Sequence, residues 1–461
     1  MAVRLIESLA TTGPLAEIFS DGSIVQAMLE FESALARAEA GLGIIPAEAA
    51  EAIVSAARSG GFDPDSMAEW ANDTLHSGTP AMPFITALTA RVRSQSPVAA
   101  GFVHWGATSQ DVCDTAMVLL LKKAQPVLEA ALHRLQEALR RLSDRHANTI
   151  MLGRTLLQPA PPITFGLKAA GWLAAVERSH ARLNAAFDES LVLQFGGASG
   201  TLAALGDQGM AAGEAMARDL GLNLPDAPWH AHRDRLGALL CACGVLTGVL
   251  GKMARDISLL MQSEIAEAAE GIAPGQGRSS SMPHKRNPVG CTVTLAAAGR
   301  VPALISSYLS GMVQEHERAT GGWQAEWPII AGVIQGTGVA AASMSEVMTG
   351  LTVDEARMRS NLEATRGAVF AEKAMLLLAK KLGRDAARRI VEEAVSRGAQ
   401  QNQRLGEVLA GMPEARDHLD ASTLRDLEKP EDYLGVADEF RKRLLAAHSG
   451  IRPANKNNQQ E

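Results

Sequence analysis

Gly275-Gln276-Gly277-Arg278-Ser279-Ser280-Ser281-Met282-Pro283-His284-Lys285-Arg286-Asn287-Pro288 joins a glycine- and serine-rich loop to the start of a helix. Asn287 is a good N-cap, and Pro288 suits the first helical position, where its missing N–H would be unpaired anyway. Lys285 and Arg286 stand just ahead of the free N–H groups of that terminus, where charge and hydrogen bonding together favour an anion. A solvated connection explains the glycines and serines but not cations set against a capped helix.

Outward from this loop the chain reads as helix almost throughout. Before it, a long helix is expected from about Trp229 to Ala269, with Leu246, Leu250, Met253, Ile257 and Leu260 on one face. Near the N-terminus Ile24, Met28, Phe31, Leu35, Ala38 and Leu42 form one apolar stripe, stopped by Gly41, Gly43 and Pro46. Leu128, Leu132, Leu135, Leu139 and Leu142 mark a second long helix, which Pro126 is expected to kink. A third is expected from about Ile163 to Leu193, and from Thr352 the pattern shortens into a small helical C-terminal domain. No stretch shows sustained strand-type alternation, and no solenoid period recurs. The turn at 72–80 carries His76, read as a solvent-facing turn residue, and the glycine-rich turn at 195–201 as close helix-to-loop packing.

Composition narrows the function. The chain has 461 residues, 47% of them hydrophobic, and a net charge of −7, which argues against nucleic acid or an anionic membrane as the main partner. The uncharged run from Leu236 to Gly251 has 16 residues, short for a membrane span of roughly 20. Cys113, Cys241, Cys243 and Cys291 lack zinc or redox spacing and no secretory signal is seen, so reduced core cysteines in a cytoplasmic protein are expected. Glu315-His316-Glu317 has no second histidine three or four places away, so no metal is expected there.

Three polar words each precede a long helix: 104–111 (His-Trp-Gly-Ala-Thr-Ser-Gln-Asp), 153–158 (Gly-Arg-Thr-Leu-Leu-Gln) and 278–287. Thr108 and Ser109 suit capping, but two hydroxyls with a glutamine exceed what a cap requires. Arg154, Thr155 and Gln158 have no structural excuse. With Lys285, Arg318 and neighbouring His316, these termini suit a small molecule carrying several carboxylates.

The word SSxMPxKxNP at 279–288 resembles the signature loop of the fumarase/aspartase superfamily, and the resemblance covers nearly the whole chain. It implies an all-α fold: a central long-helix bundle at 111–351, smaller helical domains at 1–110 and 352–450, and a loose tail at 451–461. It also implies a homotetramer, in which the three words come from different subunits and converge on composite active sites, with no cofactor. Within the superfamily the words at 104–111 and 314–327 and Tyr433-Leu434-Gly435 are similar to those of bacterial 3-carboxy-cis,cis-muconate cycloisomerases. That likeness implies intramolecular addition of a carboxylate across a conjugated double bond. By resemblance Ser279 exchanges the carbon-bound proton and is catalytic with Lys285. Thr108, Ser109, Arg154, Thr155, Gln158, Asn287, His316 and Arg318 are the expected substrate-binding residues.

Two departures bear on the chemistry. Amine-releasing lyases of the superfamily often carry histidine directly after the Arg-Thr of the second word; here Leu156 stands there, and no histidine occurs from 147 to 179. A leaving amine needs a proton, whereas a carboxylate of pKa ~4 attacks or leaves as the anion. Lactonisation is thus favoured over an adenylosuccinate- or argininosuccinate-type lyase, with a sulfonate analogue of the substrate also open. Arg278 replaces the superfamily's usual glycine, either restricting the loop or adding a cation for a tricarboxylate.

Overall fold

The computed structural model describes residues 5–60, 62–271, 277, 282 and 285–447. By internal packing the chain forms two units, one from residues 1–133, 178–251 and 292–344, the other from residues 134–177, 252–291 and 345–461.

The first unit opens with helices Asp21–Gly41, Ala47–Arg58, Pro64–Ser77 and Ala81–Gln95. Met28, Phe31, Leu35 and Ala38 of the first are buried, as their spacing requires. That helix packs against Ala47–Arg58 and Gly209–Leu220. His76 lies on the last turn of Pro64–Ser77, which Gly78 ends in the left-handed region (φ 70). The turn residues at 72–77 therefore continue the helix rather than break it.

Helix Ser109–Arg145 continues through Pro126 and divides between the units after His133. Helices Asp234–Leu260, Val289–Gly311 and Gly322–Gly350 also belong mainly to the first unit. The first of these begins five residues later than the apolar pattern suggests. Trp229 is held in a turn by tertiary bonds: its amide donates to Gln194 Oε1 and its indole to Leu193 O, both at 3.0 Å. All three helices are long and apolar enough to cross a membrane by length and composition. Only 39% of the apolar stretch in Val289–Gly311 is buried within the chain, against 72% in Gly322–Gly350, so among the described residues the former keeps an exposed face.

The second unit contains an element absent from the sequence reading. Strands β1 (Ile150–Thr155) and β2 (Gln158–Thr164) form an antiparallel hairpin, closed at Thr155 and Gln158 by Leu156 and Leu157. Pro159, Pro161 and Pro162 lack the N–H of a regular ladder, which hides the strand. Helices Glu355–Glu363, Ala371–Leu382, Arg384–Gln401 and Leu405–Gly411 follow, the last three around a core that includes Leu378, Ile390, Ala394 and Leu409. All four cysteines are free and helical; Cys113, Cys243 and Cys291 are buried, but Cys241 is exposed, contrary to its expected core position.

Candidate active site

In the first unit the word at 104–111 is built into a hydrogen-bonded block. Thr108 precedes the first turn of Ser109–Arg145, and its carbonyl accepts from the Asp111 amide at 2.9 Å. The Asp111 carboxylate answers by accepting from the Thr108 amide at 3.1 Å, half of a capping box. It also takes the amides of Gly196 (3.1 Å) and Gly197 (2.9 Å). Complete burial pushes its carboxyl up to about 7, against the pull of those amides, Arg318 and His104. The T-x-x-D spacing was a legible sign of this role.

Arg318 closes the block from the other side. Its guanidinium donates to Ala198 O (3.1 Å), Gly197 O (2.5 Å) and Gln110 Oε1 (2.6 Å). Gln110 in turn donates to His230 O at 2.9 Å. Arg318 thus fastens the glycine-rich turn to the helix start, and most of its donors are engaged within the chain. Gly200 (φ 88) packs on His230, where an added Cβ would lie 2.7 Å from Nε2; burial lowers the pKa of that histidine. His316, at φ 50, is exposed on the adjoining turn, and Thr108 and Ser109 are partly exposed.

Behind the block lies a charged hub that sequence reasoning missed. Arg233, almost wholly buried, donates to both oxygens of Asp114 (2.7 and 3.0 Å) and to Glu326 (2.7 Å from Nη2). Trp229 stacks on its guanidinium at 4.5 Å, Trp323 donates to Asp114, and Gln314 donates to Glu326. The hub ties three helices together, a role that no local spacing announces.

The other candidates belong to the second unit. Arg154 donates a two-pronged pair to the buried Glu267 (2.9 and 2.6 Å), which also accepts from Asn361 at 2.8 Å. Thr155 and Gln158 are exposed at the hairpin tip. Between them Leu156 (φ 50, 97% exposed) and Leu157 (φ 65, 75% exposed) occupy conformations that suit asparagine and glycine. Lys285 is exposed and Asn287 partly so, with the Asn287 amide on Gly277 O at 3.1 Å. The helix after them begins at Val289, and its Gly290 and Cys291 amides donate to Glu270 at 3.0 and 2.8 Å. The N–H groups read from sequence as free for an anion are therefore partly taken by a carboxylate of the chain itself. Ser279 and Arg278 lie outside the described residues.

A lyase family profile matches residues 8–303, and a profile of the adenylosuccinate lyase C-terminus matches residues 367–444. The chain belongs to the lyase family of the fumarase/aspartase superfamily. This lyase is 44% identical to the 3-carboxy-cis,cis-muconate cycloisomerase of Bradyrhizobium diazoefficiens over 441 residues, 96% of this chain and 97% of that one. Among solved structures it resembles the 3-carboxy-cis,cis-muconate lactonizing enzyme of Pseudomonas putida, with a TM-score of 0.90 and 42% identity over 97% of this chain and 99% of that one. It is also 40% identical to the nitrosuccinate lyase of Streptomyces davaonensis, across 94% of this chain and 92% of the relative. The all-α lyase fold expected from the signature loop is thereby established.

Proposed function

We propose that this enzyme is a cycloisomerase that converts 3-carboxy-cis,cis-muconate to 4-carboxymuconolactone. The observation that carries the reading is near-full-length likeness, at 42–44% identity, to proteins of that activity. Leu156 adds a mechanistic argument, since a group that attacks as an anion needs no acid or base at that position.

In the reaction one substrate carboxylate oxygen forms a C–O bond to the conjugated alkene. The π electrons move to the adjacent carbon as a carbanion delocalised into its carboxylate, and a proton then adds at carbon. Stabilising that concentrated negative charge is the main catalytic task. Lys285 supplies a cation for it, Ser279 delivers the proton and recovers one from water, and Thr108, Ser109, Thr155 and Gln158 hold the remaining carboxylates. Arg154, His316, Arg318 and Asn287 complete the expected binding set, with the two arginines acting partly through the loops that they fasten.

The working form is a homotetramer with composite sites. On Asp234–Leu260 the exposed positions Ala238, Cys241, Val245 and Gly248 form a stripe of small and apolar side chains at helical spacing, suited to a second copy of the chain. Exposed Arg300, midway along Val289–Gly311, fits a protein interface better than lipid. Free thiols in helices suit a reducing cytoplasm.

The test is ultraviolet absorbance of purified protein with 3-carboxy-cis,cis-muconate, because lactonisation destroys the conjugated diene. Rapid decay is expected without added metal or nucleotide, with kcat reduced roughly 10²-fold or more in Ser279→Ala. A second reading, elimination from nitrosuccinate, is favoured by the 40% identical relative, and nitrite too departs as an anion. No diene decay, together with fumarate release from nitrosuccinate, would overturn the first reading in favour of the second.

A further inference from the structure

Two glutamates sit inside the first unit where the reaction does not use them. Glu32 and Glu39 lie two turns apart on the inner face of Asp21–Gly41, 1% and 0% exposed. Glu32 Oε1 is 2.5 Å from His104 Nδ1, while its other oxygen and both oxygens of Glu39 have no hydrogen-bond partner among the described residues. His104 is the first residue of the 104–111 word and stands at φ 59, a conformation uncommon outside glycine. Two residues on, Gly106 (φ 69) is pressed against Leu205, where an added Cβ would lie 2.8 Å from Cδ2. The word is therefore fastened at its far end by Asp111 and Arg318, and at its near end by the Glu32–His104 contact.

The surroundings of Glu39 determine the state in which that contact survives. The packed helices Gly13–Ile18, Ala47–Arg58 and Gly209–Leu220 carry Glu17, Glu48, Glu51, Arg58, Glu214, Arg218 and Asp219, all on exposed faces, and Asp219 is paired with Arg37. Their inward positions are Leu15, Ala49, Ile53, Ala212 and Met216. Among the described residues no cation faces Glu39, and the charged group acting on it is Glu32. A proton on Glu39 leaves one ion pair, Glu32 with His104, in an apolar interior. Its loss puts a second negative charge beside that pair, with no donor to receive it, and can be accommodated only by admitting water between the helices.

We propose that Glu39 is a positioning residue for the substrate-binding word at 104–109, holding Glu32 and through it His104 in place only while its own carboxyl is neutral. The consequence for substrate rests on the function proposed above; the consequence for the loop does not. Burial and the repulsion of Glu32 push the Glu39 carboxyl up to about 8, which places the transition within an accessible range.

Glu39→Gln fixes the neutral form without changing shape. Hydrogen exchange of the segment 103–110, corrected for intrinsic pH dependence, should show the natural protein losing protection between pH 7 and 9 while Glu39→Gln keeps it. At pH 9 the neutral fraction is about one tenth, so kcat/KM of Glu39→Gln should exceed that of the natural protein about tenfold, mainly through KM. A purely structural glutamate would shift Tm and leave both pH profiles parallel. Identical exchange profiles in the two proteins would overturn the proposal whatever the substrate. Different exchange with identical KM would leave the loop coupling standing and remove Thr108 and Ser109 from the substrate site.

Discussion

Glu39 titrates at about 8 in the folded chain and near 4.5 when unfolded, because burial and Glu32 both oppose its charge. Its contribution to stability is fully present below pH 4.5 and is lost as pH rises through 8. Glu39→Gln should therefore melt progressively higher than the natural protein from pH 5 to 8, with the difference levelling off beyond. At about 1.4 kcal/mol per pH unit the full gap is roughly 5 kcal/mol, most of it developing across that range and measurable by calorimetry. Arg233 presents the opposite case. Removing its guanidinium in Arg233→Met strands Asp114 and Glu326 in the interior, and a loss of roughly 3–5 kcal/mol is expected in denaturant melts. A stability unchanged within about 1 kcal/mol would mean that water reaches the two carboxylates once the guanidinium is gone.

Among the elements, the Thr155–Gln158 hairpin carries the strongest conflict between local preference and observed conformation. Two leucines at positive φ cost about 1–2 kcal/mol each relative to a relaxed turn, and asparagine and glycine relieve that cost. Leu156→Asn with Leu157→Gly should raise Tm by several degrees and leave kcat/KM within a few-fold. An unchanged Tm would show that the leucines are not strained, and a large loss of activity would place them in the site. The same hairpin shows where sequence reading stops. The long helices were legible because apolar stripes repeat every three or four residues over many turns, as in Leu246, Leu250, Met253, Ile257 and Leu260. The hairpin offers six- and seven-residue strands, prolines, and a turn without turn residues. Of the candidate site, Thr108 and its T-x-x-D cap could be read locally, whereas Glu270 meets the start of Val289–Gly311 from 20 residues upstream. Glu39, bracketed by alanines, looks from sequence like any charged residue on a helix.

For the whole molecule, exposed apolar surface makes assembly the central question. Val245 is 49% exposed on a stripe whose other members are small, so Val245→Asp should split the proposed oligomer into smaller species in light scattering. Activity should fall with it if sites are shared between copies; an active monomer would refute composite sites. Cys241 on the same stripe gives an independent readout, slow toward a thiol reagent in the intact enzyme and fast in Val245→Asp. The exposed face of Val289–Gly311 bears on the route by which the enzyme is made. If the enzyme assembles as proposed, a newly folded chain presents that face to water until it meets another copy, so productive pairing and clumping compete for the same encounters. Recovery after denaturation should pass through a maximum as protein concentration rises: too dilute, and single chains wait with their seams open; too concentrated, and they stick before they fit.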